Sequence, residues 1–413
     1  MSCNLALTRK IIKLLTAPLA IIINALARFI PKDDKTWLFS SWNGRKYSDN
    51  SRFIYEYALQ NDDSLNVHWM CKTLQLKKEM EKMGLPACYS LSLKGLYLHL
   101  TASRVVLSHS VHWEYYPVFL SSNTKRIQTW HGTPIKKIGY DNVLSEKRFY
   151  RDWISRIIFY YNIDHFDLVL SNSEFFRKIY ASAFRTDIAR ILVTGSPRDD
   201  GLVKGAGDSL GKIMNQGNQA SQLEAKKLEP LTILYAPTLR GAAYSKFQGF
   251  KLGGWDFTVV DECLGKLNAN LYVKLHPAQV MIQNDVLAID RCDNIRYIPA
   301  GDDLINHDME IGILITDYSG IYFDFLLTGK PIFFYIPDEQ EYLKYDRDVY
   351  MSSDELSPML PARDLNTLLN QLSGYVESDS FDFGRLQKLK SQFHSFSDGK
   401  NSERAFYAIR DLS

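Results

Sequence analysis

From residue 36 onward the chain alternates short apolar runs with longer mixed segments. The runs at 36–40, 66–70, 104–108, 126–130, 167–171 and 191–194 are predicted as strands, and so are those at 231–235, 271–275, 294–298, 311–316 and 331–336. Segments such as 50–60 and 174–184 carry a helical pattern between them. Strands alternating with helices imply parallel sheets covered on both faces. Between the two series lies a polar stretch in which Gly201, Gly205, Gly207, Gly211 and Gly217 sit among Asn, Gln, Ser and Lys. This reads as an interdomain linker. The expected organisation is an N-terminal segment over 1–31, a first Rossmann-like domain over 32–204, a linker over 205–229 and a second Rossmann-like domain over 230–413. Beyond residue 361 the pattern is helical, over 364–375, 383–396 and 402–412. Two doubly wound halves place ligand loops at the carboxyl ends of their strands, and a cleft between the halves is the expected binding site.

Composition narrows the class. With 46% hydrophobic and 23% charged residues over 413 positions, the chain is neither disordered nor a polytopic membrane protein. Its 49 basic and 47 acidic residues give a net charge of 49 − 47 = +2, without the basic field of a nucleic-acid binder. Five cysteines without C-x-x-C spacing argue against structural zinc and a disulfide framework.

The N-terminus departs from this average. Residues 14–27 carry no charge, with Arg9, Lys10 and Lys13 before them and Arg28 after. Fourteen residues are short of the ~20 that span a bilayer as a helix. A helix lying in the membrane interface fits best; a spanning helix and a soluble docking helix are the alternatives.

Candidate chemistry collects where predicted strands end. His131-Gly132-Thr133 follows one strand, with Lys136 and Lys137 just beyond; Gly132 allows close backbone approach and the free N–H groups suit an anion. Arg198 follows another strand, and its guanidinium suits bidentate binding of a phosphate. Pro237, Thr238 and Arg240 follow the first strand of the second half. Lys274 and His276 end a further strand on one side of it. Thr316-Asp317-Tyr318-Ser319-Gly320 leads into a helix whose first N–H groups are unpaired, with Asp324 one turn along. Together these loops call for a phosphorylated, nucleotide-like ligand. No P-loop, no G-x-G-x-x-G opening the first half and no G-x-S-x-G elbow is present. Asp346-Arg347-Asp348 reads as a solvated loop, and His109 with His112 lacks a third ligand nearby, so no metal site and no cofactor are expected.

These segments resemble the CDP-glycerol glycerophosphotransferase family of teichoic-acid primases and polymerases and their capsule-synthesis relatives. The matching pieces are SWNGRKYSDN at 41–50, QTWHGTPIKKIGYD at 128–141, GSPRD at 195–199, ILYAPTLR at 233–240, KLHP at 274–277 and LITDYSGIYFDFLLTGKPIFFYIPDEQEY at 314–342. The resemblance implies a GT-B fold and transfer of glycerol phosphate, or a related polyol phosphate, from a CDP-polyol to an acceptor hydroxyl, with CMP released. The acceptor would be a lipid-linked or polymeric glycan, and the enzyme would sit peripherally on the cytoplasmic face of the membrane. By the family pattern the donor is held by His131, Gly132, Thr133, Pro134, Ile135, Arg198, Pro237, Thr238, Lys274, Leu275, His276, Ser319, Gly320 and Asp324. Position 320 departs from the pattern, because the family usually carries a second Ser there. In-line attack on the β-phosphorus needs positioning, charge neutralisation and a base of pKa about 6.5. His131 is the expected base, with His276 and Lys274 on the phosphates, and the two histidine roles are exchangeable. A nucleotide-sugar glycosyltransferase and a non-catalytic membrane assembly protein are the other classes open at this point.

Overall fold

The computed structural model describes residues 17–142, 164–204, 230–240, 255–276, 281, 283–299, 310–345 and 348–412. The chain forms two compact units. One comprises Met1–His131, Gly139–Arg198 and Lys400–Ser413; the other comprises Gly132–Ile138 and Asp199–Gly399.

The first unit contains strands β1 (Asp33–Phe39), β2 (Asn66–Cys71), β3 (Ala87–Tyr89), β4 (Ala102–Leu107), β5 (Lys125–Gln128), β6 (Leu168–Ser171) and β7 (Ile191–Val193). They form one sheet in the order β3-β2-β1-β4-β5-β6-β7, and every neighbouring pair is parallel. Such a sheet is apolar on both faces, which is why Trp37, Phe39, Val106, Ile127, Leu168 and Leu170 are all buried. Helices return the chain between strands, and several are started by a side-chain cap: Thr73, Ser92 and Ser173 each accept the backbone N–H three residues on. The three-residue β3 lies on the sheet edge and is too short to leave a pattern in the sequence.

The last helix, Asn401–Arg410, groups with this first unit, whereas the sequence pattern assigned all of 230–413 to the second domain. Ala405, Phe406 and Ile409 enter the first core, where the Phe406 ring lies 5.6 Å from Trp37. Arg104 closes its C-terminus by donating to the carbonyls of Ile409 (3.0 Å), Arg410 (3.2 Å) and Leu412 (3.1 Å). An amphipathic pattern shows that a helix has a face to bury, and leaves open which sheet receives it.

A helix over 17–27 precedes β1. Asn24 is buried and donates to the carbonyls of Leu120 (2.8 Å) and Pro117 (3.2 Å), between the buried Ala17 and Ala27. The other face leaves Leu19, Ile22, Leu26 and Phe29 exposed, from 56% at Ile22 to 83% at Phe29. No helix among the described residues is long and apolar enough to cross a membrane.

The second unit contains β8 (Leu231–Tyr235), β9 (Ala269–Lys274), β10 (Ile295–Ile298), β11 (Ile313–Thr316) and β12 (Ile332–Phe334), in the parallel order β10-β9-β8-β11-β12. Its core gathers Ile233, Tyr235, Leu271, Val273, Ile313, Ile315 and Phe333. Gly132–Ile138 joins this unit by main-chain pairing: Lys137 N–H donates to Asp348 (2.9 Å) and Tyr350 N–H to Ile135 (2.8 Å).

Both sheets run outward in two directions from their first strand, so the connections diverge between β1 and β4 and between β8 and β11. A crevice opens at the carboxyl ends at such a switch point. The predicted ligand loops lie at this edge of each sheet.

Phe406→Ala is expected to lower unfolding stability by about 3–5 kcal/mol, the range for truncating a buried Phe. A urea titration followed by tryptophan fluorescence measures it; a loss below ~1 kcal/mol would show that the last helix is not integral to the first core.

Candidate active site

In the first unit the site is built on the loops after β1, β4 and β5. Trp130 adopts a left-handed conformation (φ 54°), held by Gln128, whose Oε1 accepts the Trp130 N–H at 2.8 Å. That turn presents His131. Its Nδ1 lies 3.0 Å from the carbonyl of Ser108. A carbonyl only accepts, so Nδ1 carries the hydrogen and Nε2 is left with its lone pair. Burial pushes the His131 pKa down to about 4, with the neighbouring His109 and Arg198 acting the same way; the Ser108 hydrogen bond and Asp49 oppose this. The imidazole is therefore neutral at pH 7.

Around it the packing is aromatic. His109 stacks on His131 at 3.8 Å and 5°, and Trp42 approaches both rings, at 5.0 Å from His109 and 5.9 Å from His131. Trp42, Asn43, Asp49 and Trp130 all have positive φ, a concentration of backbone strain of the kind that surrounds functional sites. Arg198 donates to Asp49 (3.3 Å) and to the His131 carbonyl (3.3 Å), while its own N–H donates to Asn50 (3.1 Å). Asn50 in turn donates to the carbonyls of Thr129 and Trp130, both at 3.0 Å. The loop carrying Arg198 is itself pinned: Asn401 donates to the Ser196 carbonyl at 3.0 Å, and a Cβ on the left-handed Gly195 (φ 78°) would collide with the Asn401 amide.

Beneath His109 lies Glu114, fully buried. It accepts from the Ser108 N–H (3.0 Å) and hydroxyl (2.8 Å) and lies 3.2 Å from His109 Nδ1. Burial outweighs these contacts and raises its pKa to about 8.

In the second unit the peptide Gly132–Ile138 meets the loops after β8 and β11. Thr133 and Ile135 are buried, and a Cβ on Gly320 would sit 3.5 Å from the Thr133 carbonyl. Lys136 Nζ donates to Thr238 Oγ1 at 2.5 Å, and partial burial and then the Lys136 ammonium depress the pKa of His276. Thus Thr133, Lys136, Thr238, His276 and Gly320 are brought to one edge of the sheet. Pro237 precedes Thr238 and Ser319 precedes Gly320 in the same loops, Leu275 is buried, and Asp324 is largely buried on the short helix Ile321–Leu326.

One expectation changes. Arg240 is no phosphate ligand: it is buried, ion-paired with Asp317 (2.8 Å), bidentate to Asp338 (2.7 and 3.0 Å), and donates to the Thr238 carbonyl (3.0 Å). The Asp317 carboxylate accepts the Thr238 N–H at 2.7 Å, and Gly320 occupies the cap position of the following helix. Lys274 directs its ammonium to the Pro299 carbonyl (2.8 Å), at the end of β10. His109 and Glu114 were missed as parts of the site. The His109–His112 spacing resembles a metal motif, and a lone carboxylate in a four-residue helix gives no signal of burial. Pro277 and the segment 147–159, whose interleaved basic and aromatic residues make it a second candidate for membrane contact in the sequence, lie outside the described residues.

The family model for CDP-glycerol:poly(glycerophosphate) glycerophosphotransferases matches residues 22–410. The chain belongs to that family. It is similar to a teichoic acid ribitol-phosphate primase of Bacillus spizizenii, 27% identical over 92% of each chain, and to a teichoic acid glycerol-phosphate transferase of Staphylococcus aureus, 26% identical over 90% of this chain and 92% of that one. A teichoic acid poly(glycerol phosphate) polymerase of Bacillus subtilis is 27% identical over 81% of this chain, which spans only 43% of that protein's length. Among solved structures, the wall teichoic acid polymerase TagF superposes with a TM-score of 0.68 at 23% identity, covering 99% of this chain and 97% of that one. The α/β architecture with parallel sheets is thus that of a GT-B-like neighbour.

The folded protein holds the Glu114 proton up to about pH 8, whereas an ordinary Glu near 4.5 has lost it in the unfolded chain, so stability falls as pH rises between those values. His131 works oppositely, between about 4 and 6.5. Glu114→Gln should therefore flatten the loss of stability between pH 6.5 and 8, read from urea midpoints; an unchanged slope would mean that Glu114 does not titrate there.

Proposed function

We propose that the protein transfers glycerol phosphate from CDP-glycerol to a hydroxyl of a lipid-linked or polymeric cell-surface glycan acceptor and releases CMP, as in teichoic-acid or capsule biosynthesis. The observation that carries this reading is the state of His131 within the family's signature. Its Nδ1–H is committed to Ser108 and its Nε2 lone pair is available at neutral pH, on a segment that runs straight into Thr133 and Lys136. In the proposed reaction Nε2 of His131 takes the proton of the acceptor hydroxyl as its oxygen attacks the β-phosphorus, and the bond to the departing CMP oxygen breaks. His276 and the Lys136–Thr238 pair supply positive charge and hydrogen bonds to the phosphates, with Gly320 N–H and Lys274 as further donors. Arg198 serves in this reading by holding Asp49 and the His131 carbonyl, and an arriving phosphate competes with Asp49 for its guanidinium.

The reading extends to location. The exposed stripe Leu19, Ile22, Leu26 and Phe29, flanked by Arg28 and Lys32, supports peripheral attachment to the cytoplasmic face of the membrane, with apolar side chains in the acyl boundary and cations at anionic headgroups. Replacing the four exposed side chains by Ser should reduce co-sedimentation with anionic liposomes and leave the fold intact, because none of them enters the core. Undiminished co-sedimentation would refute this attachment.

Purified enzyme should release CMP from CDP-glycerol in the presence of acceptor and should not turn over UDP-sugars. His131→Ala should lower kcat by roughly 10²–10⁴, the usual general-base contribution, without loss of fold. Because kcat/KM reports the free enzyme, its acid limb should lie near pH 4, the value set by burial of His131. Bound donor phosphates favour the imidazolium, so the limb in kcat should appear at higher pH. Near-native turnover by His131→Ala, or an acid limb that survives in it, would remove His131 from this role.

A further inference from the structure

A second concavity lies in the first unit, at the same sheet edge as His131. It is a cavity of about 530 Å³ lined by Asn43, Arg45, Lys72, His112, Trp113 and Tyr116. None of these six belongs to the residues that the family resemblance assigns to the donor. They follow three adjacent strands: Asn43 and Arg45 come after β1, Lys72 directly after β2, and His112, Trp113 and Tyr116 after β4. His131 follows β5, the next strand in the sheet. With neighbouring strands ~4.8 Å apart, the lining loops leave the sheet about 5–14 Å along the edge from the end of β5.

The walls are built for a particular chemistry. Lys72 is fixed: its ammonium donates to the carbonyls of Trp113 (2.7 Å), Tyr115 (3.0 Å) and His112 (3.4 Å) and lies 4.6 Å from the centre of the Tyr116 ring, so what it offers a ligand is its charge. Its stem passes under the turn 42–44, where Gly44 is left-handed (φ 72°) and a Cβ would come 2.8 Å from Lys72 Cγ. Partial burial lowers the Lys72 pKa to about 8, so a nearby anion would stabilise its charge. Arg45 is exposed and has no carboxylate partner among the described residues. No lining residue is acidic. Trp113 leaves 52% of its surface exposed beside these cations. A fixed cation, a guanidinium able to bind two oxygens at once and an open indole suit a phosphate joined to a polyol or sugar.

We infer that this cavity is an acceptor subsite that binds a phosphate of the acceptor, with Trp113 against the adjoining polyol or sugar. The inference rests on the transfer reaction proposed above and names the substrate feature that this unit reads: an acceptor already phosphorylated one or two units behind the attacking hydroxyl. The short helix Val111–Glu114 couples the two places, since Trp113 lines the cavity while Glu114 supports Ser108 and His109 beneath His131.

The test uses the full chain with two acceptors: a lipid-linked disaccharide bearing glycerol phosphate, and the same lipid-linked disaccharide without it. Arg45→Ala and Trp113→Ala should each raise acceptor KM about tenfold, with CDP-glycerol affinity by calorimetry within twofold of wild type, and Arg45→Lys should restore part of the loss. A rise confined to the first acceptor assigns the bound phosphate to the polyol chain; an equal rise for both assigns it to the pyrophosphate of the lipid carrier. Unchanged acceptor KM in both variants, or donor affinity lost in parallel, overturns the inference. Absence of CMP release by the wild type would instead count against the proposed reaction. In that event calorimetry with a short soluble poly(glycerol phosphate) still decides the subsite, because equal binding by wild type and Arg45→Ala would refute it.

Discussion

The 3.0 Å hydrogen bond from His131 Nδ1 to the Ser108 carbonyl ties the loop after β5 to the loop after β4, and the organisation of the first unit's site follows from it. It selects the tautomer and so leaves the base lone pair on Nε2. It brings the imidazole flat against His109, and the burial of His131 is the main reason that it stays neutral. Ser108 holds that carbonyl in place because its N–H and hydroxyl are both engaged by the buried Glu114. A parallel sheet makes such a chain of contacts possible, since consecutive strands deliver their outgoing loops to one edge.

The second unit solves a related problem with charge. Arg240 and Asp317 are both buried, which carries a desolvation cost that a single ion pair seldom repays. Here the guanidinium also binds Asp338 and the Thr238 carbonyl and lies over the Tyr342 ring at 4.5 Å, while Asp317 takes the Thr238 N–H. The loop after β8 is thereby locked to the loop after β11. Thr238, which meets Lys136, is held by its own backbone. The lock sits under the residues that face ligand in the proposed reaction, and Arg240 supports them without joining them.

Much of the architecture was legible in the sequence, for a physical reason. Strands buried on both faces must be apolar, and 11 of the 12 strands lie within or beside the predicted runs. An apolar run stops where the chain leaves the sheet, so the placement of His131, Thr133, Arg198, Thr238, His276 and Gly320 in strand-end loops was readable from position. Arg240 announced itself equally well and was misread, because a strand-end arginine looks the same whether it faces solvent or a buried carboxylate.

The sequence by itself determined the alternation of strands and helices, the two series of them, and the chemical types at the strand ends, since all of these are set by local polarity. Only the tertiary structure decided that the last helix packs on the first sheet, that Gly132–Ile138 pairs with Asp348–Tyr350, and that His109 and Glu114 stand behind His131. Each of these is a contact between residues far apart in the chain or a burial that no neighbour in sequence reveals. The pKa values of His131 and Glu114 belong to the same class, because the removal of water that shifts them exists only once the chain has folded around them.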